Sequence, residues 1–252
     1  MKKNYGLFFV VLLVFLGMIA CNQRKNSSTM AVRQHEVTIV GAMKDAMWKG
    51  ELFGKVQLDT LPKKAPLFGI GPVAYMRGEI MLLDGKTYVS EVTSDSTMSV
   101  SIIPEVAAPF FVYAEVSEWE EIVIPFEVKT LQDIENFLVK NTATRNQPVP
   151  FMVKGSVSQA TIHVQNLPEG TKVTSPQEAH QGQVSYKITD APVTMVGFFS
   201  EEHQGVFTHH DTFLHIHLLN DEQDMMGHLD AVSLKKARLF LPKGLSDNIT
   251  PK

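Results

Sequence analysis

The chain has 252 residues, of which 23 are lysine or arginine, 27 are aspartate or glutamate and one is cysteine. The resulting net charge of −4 gives no electrostatic reason to bind nucleic acid, so we expect no nucleic-acid partner. A single cysteine excludes an internal disulfide, so the folded part has to be stabilised by its own hydrophobic core. Once the N-terminal segment is set aside, about 220 residues remain, enough for one large or two small domains.

Residues 1–20 have the pattern of a secretory signal peptide, with two lysines, an apolar run and a small-residue end. The apolar run from Leu7 to Ile19 is shorter than the ~20 residues of a comfortable transmembrane helix. Met18-Ile19-Ala20-Cys21 resembles the lipobox of bacterial lipoproteins. We therefore predict cleavage before Cys21, lipidation of its thiol, and an exported protein that contacts a bacterial membrane through this lipid anchor only. The alternatives are an uncleaved anchor and an ordinary signal peptide.

The rest of the chain is predicted to be α+β, mostly β, in two sheet-rich halves with few short helices. Residues 21–35 are polar and serine-bearing, which is typical of a flexible tether. The loop over 141–150 indicates a domain boundary, with an N-terminal β-rich domain over 36–145 and a C-terminal β domain over 146–252.

The first half is predicted to contain strands, turns and two helices. Gly69-Ile70-Gly71-Pro72 indicates a turn, and Asp84-Gly85 is typical of a two-residue hairpin turn. Thr130 is the predicted N-cap of the one strongly amphipathic helix. In chain order the predicted elements are a strand over 36–40, a helix over 40–48, strands near 80–83, 87–92, 99–106 and 109–116, and a helix over 130–141.

The second half is predicted to contain strands and no helix. Its apolar and alternating runs are short and separated by polar or glycine-containing segments, as in antiparallel sheets. The predicted strands cover 151–155, 159–164, 183–188, 194–199, 213–219 and 227–234.

Glu79 is the first candidate for chemistry. It follows a glycine and begins an apolar strand, where a carboxylate is costly unless it is paired, bound to a metal or protonated. The alternative is a solvated glutamate at a sheet edge.

Three histidines form the second candidate. His215 and His217 share one face of a predicted strand because side chains alternate along it. A hairpin centred on Glu222 and Gln223 would set His228 opposite His217 at a Cβ separation of roughly 5 Å, with His215 diagonal at about 7 Å. Three imidazoles that leave an open position are typical of a catalytic zinc site. The alternative is three separately hydrogen-bonded histidines on a solvated face.

Other polar residues are predicted to surround this site. His209, His210 and Asp211 belong to the loop that leads into the strand, and we expect them to line the mouth. The same hairpin register sets Asp230 opposite His215, where it would orient the imidazole.

With these residues in view, the chain resembles the α-acetolactate decarboxylase family over residues 38–235. The N-terminal matches begin with the segment from Thr38 to Glu51 and continue with Gly69-Ile70-Gly71, Gly78-Glu79 and Leu83-Asp84-Gly85-Lys86. The C-terminal matches are Val196-Gly197-Phe198, His215-Ile216-His217 and Gly227-His228-Leu229-Asp230.

The resemblance implies a metal-dependent carboxy-lyase that converts the small molecule 2-acetolactate, or a related 2-hydroxy-3-oxo acid, to acetoin and carbon dioxide. It implies Zn²⁺ or another divalent transition metal on His215, His217 and His228, and Glu79 as the proton-delivering catalytic residue. It also implies a homodimer. His163 occupies the position of the family's active-site arginine and is the second catalytic candidate. The family's C-terminal glutamate has no counterpart, since no glutamate follows Glu222.

Two other hypotheses stay open at this point. In the first, the protein is a non-catalytic or altered-specificity relative, a surface lipoprotein whose metal cavity binds a small oxygenated ligand. In the second, it is a structural lipoprotein without a metal. The unmatched arginine and glutamate favour the first of these two, and the histidine spacing argues against the second.

Overall fold

Antiparallel strands are the main elements of the fold in a computed structural model that describes residues 36–62, 66–142 and 147–245. The predicted α+β, mostly β class is confirmed. The strands of the described residues are β1 Val37–Val40, β2 Val56–Gln57, β3 Leu67–Pro72, β4 Glu79–Leu83, β5 Lys86–Ser94, β6 Thr97–Ile102, β7 Ala107–Ala108, β8 Phe111–Glu115, β9 Trp119–Ile122, β10 Val149–Val164, β11 Val184–Phe199, β12 Leu214–Asn220 and β13 Met226–Pro242. The α-helices of this part are α1 Met43–Lys49, α2 Leu131–Thr142 and α3 Pro176–Ala179, and single 3₁₀ turns cover Leu58–Thr60 and Ala74–Met76.

Two larger sheets carry the fold. The first has the strand order β1-β8-β3-β4-β5-β6, and the second has the order β10-β11-β12-β13-β9. In the second sheet β10 also pairs with β13, so β10, β11, β12 and β13 form a closed ring. The strands β2 and β7 form a separate two-stranded ribbon.

The core has one part that belongs mainly to the second sheet and another that joins the two sheets. Helix α2 packs Ile134 and Leu138 into the part that belongs mainly to the second sheet. Thr130 is the N-cap, as predicted, and it exchanges hydrogen bonds with Asp133. The part that joins the two sheets contains Ile70 and Met81 from the first sheet and Phe198 from the second. This shared core brings the start of β4 close to the ring of long strands.

The turn predicted at Gly69-Ile70-Gly71-Pro72 is wrong, because these residues belong to the fully buried strand β3. A Cβ built on Gly69 would lie 2.7 Å from the Phe111 ring, and one built on Gly71 would lie 2.9 Å from it. The two glycines therefore let a neighbouring aromatic ring cover the strand.

Two further expectations for the second half are wrong. The four strands predicted over 151–155, 159–164, 183–188 and 194–199 are two continuous strands, β10 and β11. Gly155 lies inside β10, and a Cβ there would approach Ala237 Cα to 2.6 Å. This glycine therefore allows β10 and β13 to pack closely and does not end a strand. The short helix α3 was missed because it is a single turn, capped by the Ser175 hydroxyl.

Several N-terminal predictions lie outside the described residues. They are the signal peptide over 1–20, the lipidation of Cys21 and the tether over 21–35. None of the helices in the described part of the chain has the length and hydrophobicity that a membrane span requires. The domain boundary at 145/146 and the homodimer also stay predictions.

Candidate metal centre

Four histidines form a compact group on the strands of the second sheet. His217 on β12 lies directly opposite His228 on β13, which confirms the predicted hairpin register. His215 lies two residues before His217 and therefore on the same face. On the other side of β13, His163 of β10 lies opposite His228, so three strands each bring a histidine to one row. The hairpin alone did not reveal His163 as a member of this row.

The geometry of His215, His217 and His228 fits a metal ion. Each offers a ring nitrogen, and these three nitrogens lie within 4.8 Å of one another. All three side chains are largely buried, yet Nδ1 of His215 and both ring nitrogens of His217 have no hydrogen-bond partner in the described structure. Buried polar atoms are normally paired, so unpaired nitrogens that converge on one point are the donor set expected for a bound transition metal.

Burial keeps these imidazoles neutral. It lowers the pKa of His215 and of His228 well below the ordinary value, and it lowers the pKa of His217 to about 3. A neutral imidazole has the free lone pair that a metal requires, whereas an imidazolium has none. The three rings are therefore ready to bind a divalent cation at neutral pH.

Glu79 opens strand β4 and reaches this group from the first sheet. Its side chain is buried, with 3% of the residue exposed, so the alternative of a solvated edge glutamate is wrong. Oε2 lies 3.6 Å from Nε2 of His217, and Oε1 accepts a hydrogen bond of 3.3 Å from the backbone N–H of Gln165. Burial raises the pKa of Glu79 well above that of an ordinary glutamate. The shift favours the protonated form of this carboxyl beside the histidines.

His163 makes a short hydrogen bond with Asp230. Nδ1 of His163 lies 2.7 Å from Oδ1 of Asp230, and the His163 ring packs against that of His228 with centroids 4.6 Å apart. The expectation that Asp230 orients His215 is wrong. The Asp230 side chain bonds instead to His163 of β10, which pairs with β13 on the side away from β12.

Two cavities meet at the histidines. An inner cavity of about 20 Å³ contacts Glu79, His163, Gln165 and His215, and an outer one of about 470 Å³ opens to the surface. His209 and Asp211 line the outer cavity as predicted, but the exposed His210 does not. The cavity walls also contain three residues that the sequence did not predict, Gln165, Gln183 and His180. His180 caps the unpredicted helix α3, and no motif marks any of the three.

Comparison with known proteins assigns the chain to a family. The family model described as alpha-acetolactate decarboxylase matches residues 39–244. The chain belongs to the alpha-acetolactate decarboxylase family. This confirms the resemblance found in the sequence, and no curated protein matches the chain significantly.

Solved structures of similar proteins share the fold of this alpha-acetolactate decarboxylase family member. The alpha-acetolactate decarboxylase of Bacillus subtilis strain 168 is 22% identical, with a TM-score of 0.68 over 82% of this chain and 86% of that one. A Staphylococcus aureus protein of unknown function, similar to alpha-acetolactate decarboxylase, is 18% identical, with a TM-score of 0.68 over 81% and 84%. Acetolactate decarboxylase from Bacillus subtilis subspecies spizizenii is 20% identical, with a TM-score of 0.67 over 82% and 85%.

This family member has no lysine or arginine among the described residues that line the two cavities. The position that the resemblance aligns with the family's arginine holds His163, whose Nδ1 is already bonded to Asp230. An imidazole in this state has a single nitrogen left for a ligand, whereas a guanidinium offers a bidentate fork. A carboxylate ligand would therefore be bound without a guanidinium in these walls.

The stability of the metal-free family member is expected to fall as the pH drops from 7 to 5. His217 stays neutral in the folded protein because its pKa is about 3, while in the unfolded chain it takes up a proton below 6.5. The unfolded state then binds more protons, so this residue alone lowers the free energy of unfolding by about 2 kcal/mol between pH 7 and pH 5. His215 and His228 act in the same direction, and Glu79, whose pKa is raised, acts in the opposite one.

Urea unfolding of the zinc-free protein at both pH values measures this effect. In a His217→Leu variant the loss between pH 7 and pH 5 should be smaller by about 2 kcal/mol. A His210→Leu variant, which changes an exposed histidine, should keep the wild-type loss. An equal loss in His217→Leu and wild type would show that His217 titrates normally in the folded state.

Proposed function

We propose that this protein is a metal-dependent decarboxylase that converts 2-acetolactate, or a related 2-hydroxy-3-oxo acid, to a hydroxyketone and carbon dioxide. With 2-acetolactate the product is acetoin. The observation that carries the proposal is the convergence of three imidazoles, two of them fully buried with unpaired ring nitrogens, beside a buried glutamic acid. Membership of the family and the shared fold support it.

His215, His217 and His228 would hold Zn²⁺ or another divalent transition metal. When bound, such an ion supplies Lewis acidity, which stabilises the negative charge that develops on the substrate oxygens as carbon dioxide leaves. The three ligands come from two hydrogen-bonded strands inside a closed sheet, so their positions are fixed before any ligand arrives.

Glu79 would deliver the proton that completes the reaction. Loss of carbon dioxide leaves the electron pair of the broken C–C bond on the substrate, and protonation of that carbon gives the product. A general acid has to hold its proton near neutral pH, and burial of Glu79 raises its pKa in this direction. The hydrogen bond from the Gln165 N–H keeps the carboxyl oriented toward the histidines.

Apolar residues in the inner cavity would keep bulk water away from this proton. The inner cavity is also lined by four buried apolar residues, Met43 and Met47 from α1, Met76 and Phe110. Exclusion of water strengthens the electrostatic interactions inside the site and limits unwanted proton exchange.

A second candidate function is binding of a small oxygenated ligand without turnover. The absence of lysine and arginine from the described cavity walls favours it, because a substrate carboxylate finds no fixed positive side chain there. In this case the metal and the cavity would serve recognition only.

Acetoin formation separates the two candidates. The full chain is loaded with Zn²⁺ and incubated with racemic 2-acetolactate, and acetoin is measured against a protein-free blank. We expect release well above the blank, loss of release after chelation, and recovery when Zn²⁺ is added back. Ligand binding with no release at any pH would contradict the decarboxylase and favour the binding protein.

A further inference from the structure

Gln165 is a buried polar residue in the wall of the inner cavity that the proposed reaction leaves without a side-chain role. It follows the last residue of β10, and only 4% of it is exposed. Its backbone N–H donates to Glu79, but its side chain points to a different set of partners. Nε2 donates to Oε1 of Gln183 at 3.1 Å and lies 3.5 Å from Nε2 of His163.

The His163–Asp230 pair determines which way this amide faces. A carboxylate oxygen only accepts hydrogen bonds, so the proton between His163 and Asp230 belongs to Nδ1 of the imidazole. The remaining nitrogen, Nε2, then presents a lone pair to Gln165. The amide NH₂ is attracted to that lone pair, whereas the amide oxygen would be repelled by it. Asp230 thus orients Gln165 through His163.

This orientation leaves the side-chain oxygen of Gln165 without a hydrogen-bond donor. Oε1 is buried and has no hydrogen-bond partner in the described part of the chain. The same inner cavity is lined by Glu79 and by two of the candidate metal ligands, His215 and His228. A buried acceptor without a donor is unfavourable, and a ligand that brings an O–H group removes the penalty.

We infer that Gln165 is a specificity-determining residue whose Oε1 accepts a hydrogen bond from the hydroxyl group of a small α-hydroxy carbonyl ligand. This inference rests on the proposed function for the identity of the ligand class, because 2-hydroxy-3-oxo acids and their hydroxyketone products both carry such a group. Asp230 and His163 act as positioning residues for this contact. A ligand with the same carbonyl and oxygen atoms but no O–H proton is rejected.

Binding of acetoin and of 3-methoxy-2-butanone to the zinc-loaded full chain tests the inference. Both compounds carry a carbonyl and an adjacent oxygen, but only acetoin donates a hydrogen bond. In titrations followed by ligand NMR, the wild type should prefer acetoin by at least about 10-fold. Gln165→Met has similar bulk and no acceptor, so the preference should fall to about 2-fold or less.

Two further variants complete the test. Gln159→Met changes a glutamine of β10, the strand that Gln165 follows, that does not line either cavity, and it should keep the wild-type preference. Asp230→Ala, at an exposed position, frees the His163 tautomer without removing a buried side chain and should also weaken the preference. The melting temperature and zinc content of Gln165→Met show whether that variant folds. If it does not fold, Asp230→Ala still tests the inference.

The outcomes separate this inference from the proposed function. No preference in the wild type, or an undiminished preference in a folded Gln165→Met protein, overturns the role of Gln165 even if acetoin is produced from acetolactate. A preference that is lost in Gln165→Met but kept in Asp230→Ala overturns the orienting role of Asp230. A preference lost in both variants supports the inference, whether or not the protein turns acetolactate over.

Discussion

Glu79→Gln is expected to lower the rate of acetoin formation by about 10²- to 10⁴-fold, the usual contribution of a general acid. The amide has nearly the shape of the protonated carboxyl and still accepts the hydrogen bond from Gln165, but it has no acidic proton to give. Because Glu79 is buried and its pKa is raised, replacing it by a neutral group removes no stabilising charge. The melting temperature should therefore stay the same or rise while the activity is lost.

Steady-state kinetics of zinc-loaded protein and thermal unfolding of the same samples check this expectation. Glu105→Gln, at an exposed position away from the cavities, is the matched control and should keep the wild-type rate. A Glu79→Gln protein that retains zinc and turns over within 2-fold of the wild type would remove Glu79 from the reaction.

Removal of His217 should abolish both metal binding and the stability gained from the metal. His228 belongs to two groups that are compact enough to hold an ion, one with His215 and His217 and one with His163 and Asp230. Removal of His228 would therefore not distinguish the two groups, whereas His217→Ala disrupts only the group with His215 and His217. At a free zinc concentration 1,000 times the wild-type dissociation constant, zinc should stabilise the wild type by about 4 kcal/mol and His217→Ala by much less.

Zinc content after dialysis and urea unfolding with and without zinc measure the two effects. Asp230→Ala disrupts only the second group, so we expect it to keep one equivalent of zinc and most of the stabilisation. His210→Ala, which changes an exposed histidine, should behave as the wild type. If Asp230→Ala loses zinc and His217→Ala keeps it, the ion belongs to the second group.

Local chemistry predicted part of this site well. The period of two along β12 and the short turn after Asn220 decide that His215, His217 and His228 share a face, and the register found is the one expected. The helix α2 was equally readable, since its cap and its apolar stripe lie within a few residues of one another. In both cases the interacting residues are close in the chain.

Glycine gave a mixed signal, since Asp84-Gly85 forms the predicted two-residue turn between β4 and β5 but some other glycines do not form turns. At Gly69, Gly71 and Gly155 it was interpreted as a turn or a break, but in the structure each allows another strand or ring to come close. Whether a glycine bends the chain or makes room for a neighbour depends on that neighbour, which sequence alone does not reveal.

By itself, the sequence determined that this protein carries a three-histidine group on a hairpin and a glutamate at the head of an apolar strand, because strand alternation and turn length act over short distances. Only the tertiary structure decided that Glu79 reaches His217, that His163 bonds to Asp230 and that Gln165 lines the inner cavity. These contacts depend on the pairing of β10 with β13 and on the packing of one sheet against the other. Such long-range pairing is selected by the total burial of many side chains, and no single segment of the sequence encodes it.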